Sequence, residues 1–102
     1  MTEEAYEAIE IARTSGTIRK GTNEVTKTLE RDDAELVVVA SDVSPKEITM
    51  HLQPLSEEKN VPYVEVDSKQ ELGAAAGLPL STSAVVVTKP GKAKSHIEAL
   101  KQ

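Results

Sequence analysis

The sequence predicts an α/β fold, a three-layer α/β/α sandwich around a small mixed four-stranded sheet. Segments with apolar residues at helical spacing alternate with short runs of β-branched residues, a pattern typical of helices packed on both faces of a sheet. Short links join these segments, and the chain has no repeat and no low-complexity tract. We therefore expect residues 1–102 to form one domain.

The first half of the chain predicts two helices and two extended segments. Residues 2–14 have apolar residues at helical spacing and acidic residues in the first turn, and Gly16 ends this helix. Residues 17–20 form a short extended segment, and a second helix starts at Gly21 and runs to about Asp32. The apolar run Leu36–Ala40 predicts a strand that is buried on both faces.

A third helix is predicted to start at Ser44. Ser44 is a capping residue, Pro45 suits the first helical position, and Glu47 completes a capping box. Pro54 should break or kink this helix, so we expect one helix to about Leu52 and a further turn or two to Lys59.

The rest of the chain predicts two more strands and two more helices. Residues 61–66 form a strand, and a second capping box at Ser68 and Glu71 starts a helix that Gly77 ends. Residues 78–82 form a loop and residues 84–88 a buried strand. Residues 92–102 form the closing helix.

The net charge of −5 restricts the partners that this chain can bind. Residues 1–12 contain four acidic residues and no basic one, so the remainder of the chain has a net charge of only −1. Non-specific binding to nucleic acid by counterion release should therefore be weak. The only aromatic residues are Tyr6 and Tyr63, which argues against a platform for stacking single-stranded bases. Any RNA binding must come from a local patch that fits a particular shape.

Location and metal content can be predicted from what the chain lacks. It has no cysteine, hence no disulfide framework and no cysteine-based metal site. The N-terminus shows no basic segment followed by an apolar run, and no stretch has the length of a membrane span. We expect a soluble cytoplasmic protein that does not contact a membrane.

Motifs for catalysis, cofactors and metals are missing, so we expect no enzyme activity and no cofactor. The chain has no dinucleotide-binding fingerprint, no phosphate loop and no zinc-protease motif. His51 and His96 each lack a second histidine at ligand spacing and are interpreted as ordinary surface or half-buried residues. Asp42 could be a base, but a role in a turn or cap explains it more simply.

The second helix carries the most informative pattern. At about 100° per residue, Asn23, Glu24, Lys27 and Arg31 fall within one arc of roughly 100°. Val25 lies nearly opposite that arc. Lysine offers only donors, an ionised glutamate only acceptors and asparagine both, so this arc can recognise the edge of a base. A solvated polar face is the alternative interpretation.

Three neighbouring features could complete a binding site. The N-terminus of the second helix favours phosphate, and Gly21 permits close approach of a ligand. Lys69 adds a cation at the start of the helix that follows Ser68. Leu78 and Leu80 either expose apolar side chains to a base or sugar, or fold back as a hydrophobic plug, and the sequence favours neither.

The chain resembles the archaeal kink-turn-binding ribosomal protein family, the "L-seven-Ae" family. The resemblance runs from about Ile9 to Thr88 and includes Gly21–Lys27, Leu36–Ala40, Glu57–Tyr63 and Ser68–Gly73. It implies binding of a kink-turn, an RNA helix bent sharply at a bulge beside tandem sheared G·A pairs. The eukaryotic spliceosomal and nucleolar relatives have a glutamate in place of Ser44, and the loop from Leu80 to Ser83 departs from the usual valine–proline–alanine pattern. Both departures bear on affinity and on the choice between kink-turns and kink-loops.

The resemblance also implies roles for individual residues. Asn23, Glu24 and Lys27 would contact the guanine edges of the G·A pairs. Gly21, Thr22 and Arg31 would hold the RNA backbone, and Ile48, Lys69 and the loop 78–82 would enclose the flipped-out nucleotide. The full set of expected RNA-binding residues is Lys20, Gly21, Thr22, Asn23, Glu24, Lys27, Arg31, Ile48, Lys69, Leu78, Pro79, Leu80, Ser81 and Thr82.

By the same resemblance, the expected partners are structured RNAs in ribonucleoprotein particles. These would include the large ribosomal subunit, box C/D and H/ACA guide particles with their scaffold and modification proteins, and ribonuclease P in tRNA processing. The protein is expected to act as a monomer. Two other functions remain open from the residues: a small domain that binds an anionic metabolite at Gly21, and a protein–protein adaptor that uses the acidic first helix.

Overall fold

The computed structural model describes residues 2–101 and contains a four-stranded sheet with helices on both faces. The helices are α1 (Thr2–Ser15), α2 (Thr22–Glu30), α3 (Leu52–Glu58), α4 (Lys69–Ala75) and α5 (Lys94–Leu100). The strands are β1 (Thr17–Lys20), β2 (Leu36–Ala40), β3 (Tyr63–Val66) and β4 (Ala84–Lys89), and two short 3-10 turns span Lys46–Ile48 and Gly91–Ala93.

The sheet is mixed, with the strand order β1-β4-β2-β3. β4 is antiparallel to both β1 and β2, and β2 is parallel to β3. This confirms the predicted sandwich around a small mixed sheet. The two edge strands, β1 and β3, are the shortest at four residues each.

Two core clusters form because alternate side chains of each strand face opposite sides of the sheet. In β2, Leu36, Val38 and Ala40 belong to the first core cluster, which lies under α1, α4 and α5. Val37 and Val39 belong to the second core cluster, which lies under α2 and α3. All five residues of β2 are buried, as its unbroken apolar run predicts.

The predicted start of the third helix at Ser44 is wrong. Pro45 has the extended dihedral ψ of 154°, and only a 3-10 turn follows it. The α-helix begins instead at Leu52, so that Pro54 lies in its first turn. A proline is tolerated there because the N–H groups of the first turn have no partner within the helix. The capping-box pattern at Ser44 is therefore misleading, because the helix starts where Pro54 falls in its first turn.

The helix that follows Ser68 begins and ends as predicted. The Ser68 Oγ accepts a hydrogen bond of 3.1 Å from the Glu71 N–H. At the other end, Gly77 adopts a positive φ of 78°, and the Leu78 N–H donates to the Gly73 carbonyl at 2.9 Å. Together with the bond from the Gly77 N–H to the Ala74 carbonyl, this is a Schellman motif.

Other boundaries differ from prediction by one to three residues. α2 ends at Glu30 and not near Asp32, because Asp32 adopts a left-handed φ of 61°. β3 starts at Tyr63 and not at Val61, although the Pro62 carbonyl already accepts from the Val37 N–H. The closing segment begins as a 3-10 turn before α5, and the predicted end of that helix at Gln102 lies outside the described residues.

Candidate nucleic-acid interface

α2 presents one face to the core and the opposite face to solvent. Val25 and Leu29 are fully buried in the second core cluster. Asn23 and Lys27 are exposed, and Glu24 is half-buried. The helical spacing therefore positions the polar arc outward, as the sequence predicts. We call Asn23, Glu24, Lys27 and Arg31 the α2 stripe.

The polar groups of the α2 stripe are not used by the fold. Among residues 2–101, no ion pair or side-chain hydrogen bond occupies the Asn23 amide, the Glu24 carboxylate or the Lys27 ammonium group. Donors and acceptors that have no internal partner are available to a ligand. Arg31 follows the helix as its C-terminal capping residue and is also exposed.

The start of α2 depends on Gly21. This residue has φ 95° and ψ 148°, a region that is accessible almost only to glycine. Its N–H donates to the Ala84 carbonyl at 2.9 Å, which joins the helix start to β4. Within residues 2–101 no side chain caps α2, so the N–H groups of its first turn have no side-chain partner at the positive end of the helix dipole.

A side-chain contact joins α2 to the loop before β4. The Thr22 and Ser83 hydroxyl oxygens are 2.7 Å apart. Thr22 is therefore held at the junction of the helix and the loop, while Lys20, the last residue of β1, is exposed beside it. The structure thus places Lys20, Gly21 and Thr22 next to the α2 stripe.

Lys69 is tied to two other parts of the site through its backbone. Its N–H donates to Asp42 Oδ1 at 2.8 Å, and its carbonyl accepts from the Thr82 N–H at 3.1 Å. The Lys69 side chain remains exposed. Asp42 therefore acts at a helix start, which agrees with its interpretation as a capping residue.

In the loop 78–82, each of the two predicted alternatives applies to one leucine. Leu78 folds back and packs against the first core cluster, whereas Leu80 is 75% exposed. Pro79 and Ser81 are also exposed. Thr82 is buried and its hydroxyl donates to the Ala84 carbonyl at 3.3 Å, so its side chain anchors the loop and does not face solvent.

The loop packs tightly on α4 at Gly73. A Cβ atom at this position would clash with the Leu80 carbonyl oxygen, so the close approach requires glycine. Beside this contact lies an open groove of about 450 Å³. Its lining residues are Lys69, Gln70, Ala74, Leu78, Pro79, Leu80 and Ser81. Five of these belong to the expected RNA-binding set.

The 3-10 turn carries Ile48, which is 42% exposed. Its neighbour His51 bonds to α2, because His51 Nε2 lies 2.8 Å from Thr26 Oγ1. Thr26 Oγ1 also lies 2.8 Å from the Thr22 carbonyl oxygen, so this hydroxyl joins His51 to the first turn of α2. Ile48 is not among the residues that line the groove beside Lys69.

Sequence reasoning missed the supporting roles of His51 and Ser83. Each contacts α2 from a distant part of the chain, and no local motif marks either residue. Only the tertiary fold brings them to Thr26 and Thr22. They hold the first turns of α2 against the adjoining loops.

The acidic side chains of the first helix lie away from this site. α1 packs on the first core cluster, on the face of the sheet opposite α2. Glu3, Glu7 and Glu10 are exposed there. The α2 stripe is therefore not covered by the acidic helix.

The described residues offer little for other kinds of site. In residues 2–101, no three histidine or acidic side chains converge in a way that could hold a metal ion. None of the helices in that part of the chain has the length and apolar character needed to span a bilayer.

Comparison with known proteins places these features in a family. The sequence model of the ribosomal protein L7Ae/L30e/S12e/Gadd45 family matches residues 3–97. The chain is also similar to the solved structure of the "Giardia lamblia 15.5kD RNA binding protein", with a TM-score of 0.89 and 31% sequence identity. The match covers 97% of this chain and 82% of the Giardia chain. The chain therefore belongs to the ribosomal protein L7Ae/L30e/S12e/Gadd45 family.

Proposed function

We propose that this protein binds structured RNA without catalysing a reaction, and that its target is the kink-turn. The observation that carries the proposal is the α2 stripe, in which the side chains of the exposed Asn23 and Lys27 and of the half-buried Glu24 have no hydrogen-bond or ion-pair partner within residues 2–101. The name of the Giardia relative, an RNA-binding protein, supports the RNA-binding part of the proposal. The kink-turn itself is inferred from the family resemblance of the stripe.

The stripe matches the chemistry of guanine edges in sheared G·A pairs. The Glu24 carboxylate would accept from guanine amino groups, and Lys27 would donate to guanine carbonyl or ring nitrogen atoms. Asn23 could do both. The free N–H groups at the start of α2 suit a backbone phosphate beside Gly21.

The loop and the groove beside it would hold the flipped-out nucleotide. Leu80 offers an exposed apolar side chain, and Lys69 offers a cation at the groove. An unstacked base needs an apolar surface with a few polar groups at its margin. Ile48 would contact the same nucleotide from the 3-10 turn.

The proposed mechanism is a shift of the RNA population. A free kink-turn samples extended and bent states, and a protein that binds only the bent state enriches it. Moving the ratio from 1:99 to 99:1 requires a preference of about 10⁴-fold for the bent state. Pre-formed donors and acceptors on a short, rigid helix suit this task, because little order has to be gained on binding.

The bent RNA would then recruit other proteins. On the family resemblance, the particles are the large ribosomal subunit, box C/D and H/ACA guide particles, and ribonuclease P. We propose that the protein enters them as a cytoplasmic monomer, with the RNA as the scaffold.

A titration with paired RNAs tests this function. One RNA contains the kink-turn, and the other has its G·A pairs replaced by Watson–Crick pairs. We expect tight binding of the first RNA and weak, strongly salt-dependent binding of the second. Equal affinity for the two would refute kink-turn recognition, and stabilisation by free nucleotides alone would favour a metabolite-binding domain.

A further inference from the structure

A second polar groove lies at the other end of α2. It has a volume of about 340 Å³ and is lined by Thr17, Arg19, Thr28, Arg31, Asp33, Thr88 and Lys89. We call it the basic groove, because three cationic residues and one acidic residue line it. Only Arg31 among these residues belongs to the expected RNA-binding set.

The sheet brings the cations of the basic groove together. Ile18 packs on the first core cluster, so the next residue of β1, Arg19, faces the opposite side, where α2 lies. Thr17 pairs with Lys89 across the antiparallel β1–β4 ladder, which places the end of β4 beside the start of β1. Arg31, at the end of α2, completes the wall of the groove.

The three cations are available to an outside anion. Arg19, Arg31 and Lys89 are all exposed, and no ion pair within residues 2–101 engages them. Two of the three threonine hydroxyls in the groove are used by the fold: Thr88 Oγ1 donates to the Thr17 carbonyl at 3.1 Å, and Thr28 Oγ1 donates to the Glu24 carbonyl at 2.8 Å. The groove thus recognises charge and offers few groups that could read a base.

The basic groove continues the α2 stripe. Asn23, Lys27 and Arg31 are spaced four residues apart, so they lie along one side of the helix. Arg31 is about 12 Å from Asn23 along the axis at 1.5 Å per residue. A ligand that begins at the start of α2 and extends along this side passes over Lys27 and arrives at the groove.

We propose that the basic groove binds the phosphate backbone of one RNA stem next to the kink. This inference rests on the proposed function. The α2 stripe selects the G·A pairs, and the basic groove adds affinity that does not depend on the stem sequence. Asp33 opposes this affinity from within the same groove.

A double variant, Arg19→Gln with Lys89→Gln, tests the proposal. The measurement is the affinity of the whole chain for kink-turn RNA at several salt concentrations. The slope of the logarithm of affinity against the logarithm of salt concentration should become shallower by about one for each phosphate that the variant no longer binds. The affinity should fall by roughly tenfold at moderate salt, with the preference for kink-turn over Watson–Crick RNA retained.

Two further variants complete the test of the basic groove: one that should strengthen RNA binding, and one that serves as a matched control. Asp33→Asn removes the opposing carboxylate, so it should strengthen binding and steepen the slope. Lys94→Gln with Lys101→Gln removes the same charge from the first residue of α5 and from its C-terminal capping residue, on the other face of the sheet, and should leave the slope unchanged. Thermal unfolding verifies that each variant is folded.

RNAs with a long or a short form of each stem identify the stem that is bound. The defect of the Arg19/Lys89 variant should disappear when one particular stem is shortened and persist when the other is shortened. A slope equal to that of the wild type, or a defect independent of both stem lengths, would overturn the basic groove while leaving kink-turn recognition intact. Loss of wild-type preference for the kink-turn would instead refute the proposed function.

Discussion

At the scale of single residues, we expect substitutions in the α2 stripe to weaken RNA binding and to leave folding unaffected. Lys27→Ala and Glu24→Ala each remove a group that no other side chain in the described structure uses. We expect each change to cost about 1–3 kcal/mol of RNA-binding free energy. The free energy of unfolding should change by less than about 0.5 kcal/mol, because surface substitutions away from structural features rarely do more.

Titration of the kink-turn RNA and thermal unfolding of the same samples check this expectation. Lys94→Ala and Glu10→Ala are matched controls, since they remove the same charges from exposed sites on the opposite face. A Lys27 or Glu24 variant that binds as tightly as its control contradicts the assignment.

Gly21 provides a different test at the residue scale. A Cβ atom there would meet nothing within 4 Å, so crowding plays no part, but the φ of 95° is unfavourable for any other residue. Gly21→Ala should therefore destabilise the protein by about 1–3 kcal/mol through backbone strain alone. Chemical denaturation measures this loss, and an unchanged midpoint would show that the start of α2 can relax at no cost.

At the scale of elements, the loop 78–82 is positioned by its contact with α4. Gly73→Ala drives a Cβ atom into the Leu80 carbonyl oxygen, and backbone cannot move aside as a flexible side chain can. We expect a loss of about 1–3 kcal/mol in stability together with weaker RNA binding. Leu80→Ala should weaken RNA binding without loss of stability, because Leu80 is largely exposed. Equal stability of the Gly73 variant and wild type would contradict the rigid contact.

The contact between Tyr6 of α1 and Ser68 at the start of α4 predicts how stability responds to alkaline pH. Burial raises the pKa of Tyr6 above its usual value, and the nearby carboxylates Glu71, Asp67 and Asp42 raise it further, against an opposing hydrogen bond that the Tyr6 oxygen accepts from the Ser68 N–H. The raised pKa means that the folded state retains the phenol proton more strongly than the unfolded chain does. This contribution to stability is therefore complete below about pH 10 and is lost as the pH rises through the folded-state pKa.

Denaturation of wild type and Tyr6→Phe between neutral and alkaline pH measures this effect. Burial also raises the pKa of Tyr63, which remains in the variant. The loss of stability at alkaline pH should therefore be smaller in Tyr6→Phe than in the wild type, but should not vanish. At neutral pH the variant should be less stable by about 1 kcal/mol, because it lacks both hydrogen bonds to Ser68. An identical alkaline loss in the two proteins would contradict the role of Tyr6.

The elements that the sequence predicts well are those fixed by nearby residues. The β-branched run of β2 and the Ser68 cap with Gly77 are local patterns, and the structure confirms them. The Ser44 helix was wrong because two local signals conflicted, a capping box and the later Pro54. Local patterns alone do not determine which of two such signals is stronger.

At the scale of the whole molecule, the acidic side chains of α1 and the charges of the α2 stripe lie on opposite faces of the sheet. The molecule is 22 Å across its shortest dimension. Electrostatic screening extends about 8 Å at physiological salt and about 30 Å at 0.01 M. The acidic side chains of α1 should therefore affect RNA binding only at low salt.

Glu3→Gln with Glu10→Gln tests this separation. The affinity for the kink-turn RNA should change by less than about twofold at physiological salt and increase clearly at 0.01 M salt. Titrations at the two salt concentrations make the comparison. A large gain at physiological salt would mean that the acidic helix suppresses binding directly.

The arrangement of the candidate site was predictable where a single element carries its residues. Helical spacing predicts the α2 stripe, because Asn23, Glu24 and Lys27 share a single short helix. The basic groove was not predictable, because antiparallel pairing brings Lys89 beside Thr17 from the far end of the chain. The exposure of Leu80 beside a half-buried Leu78 likewise depends on tertiary contacts with α4 and the core.

Energy transfer between dyes on the two stems of a kink-turn RNA tests the central claim most directly. The wild-type protein should convert low transfer, from an extended RNA, into the high transfer of the bent state, and Glu24→Ala should not do so at the same concentration. Binding by the wild type that leaves transfer unchanged, or full bending by Glu24→Ala, would contradict recognition of bent RNA by the α2 stripe.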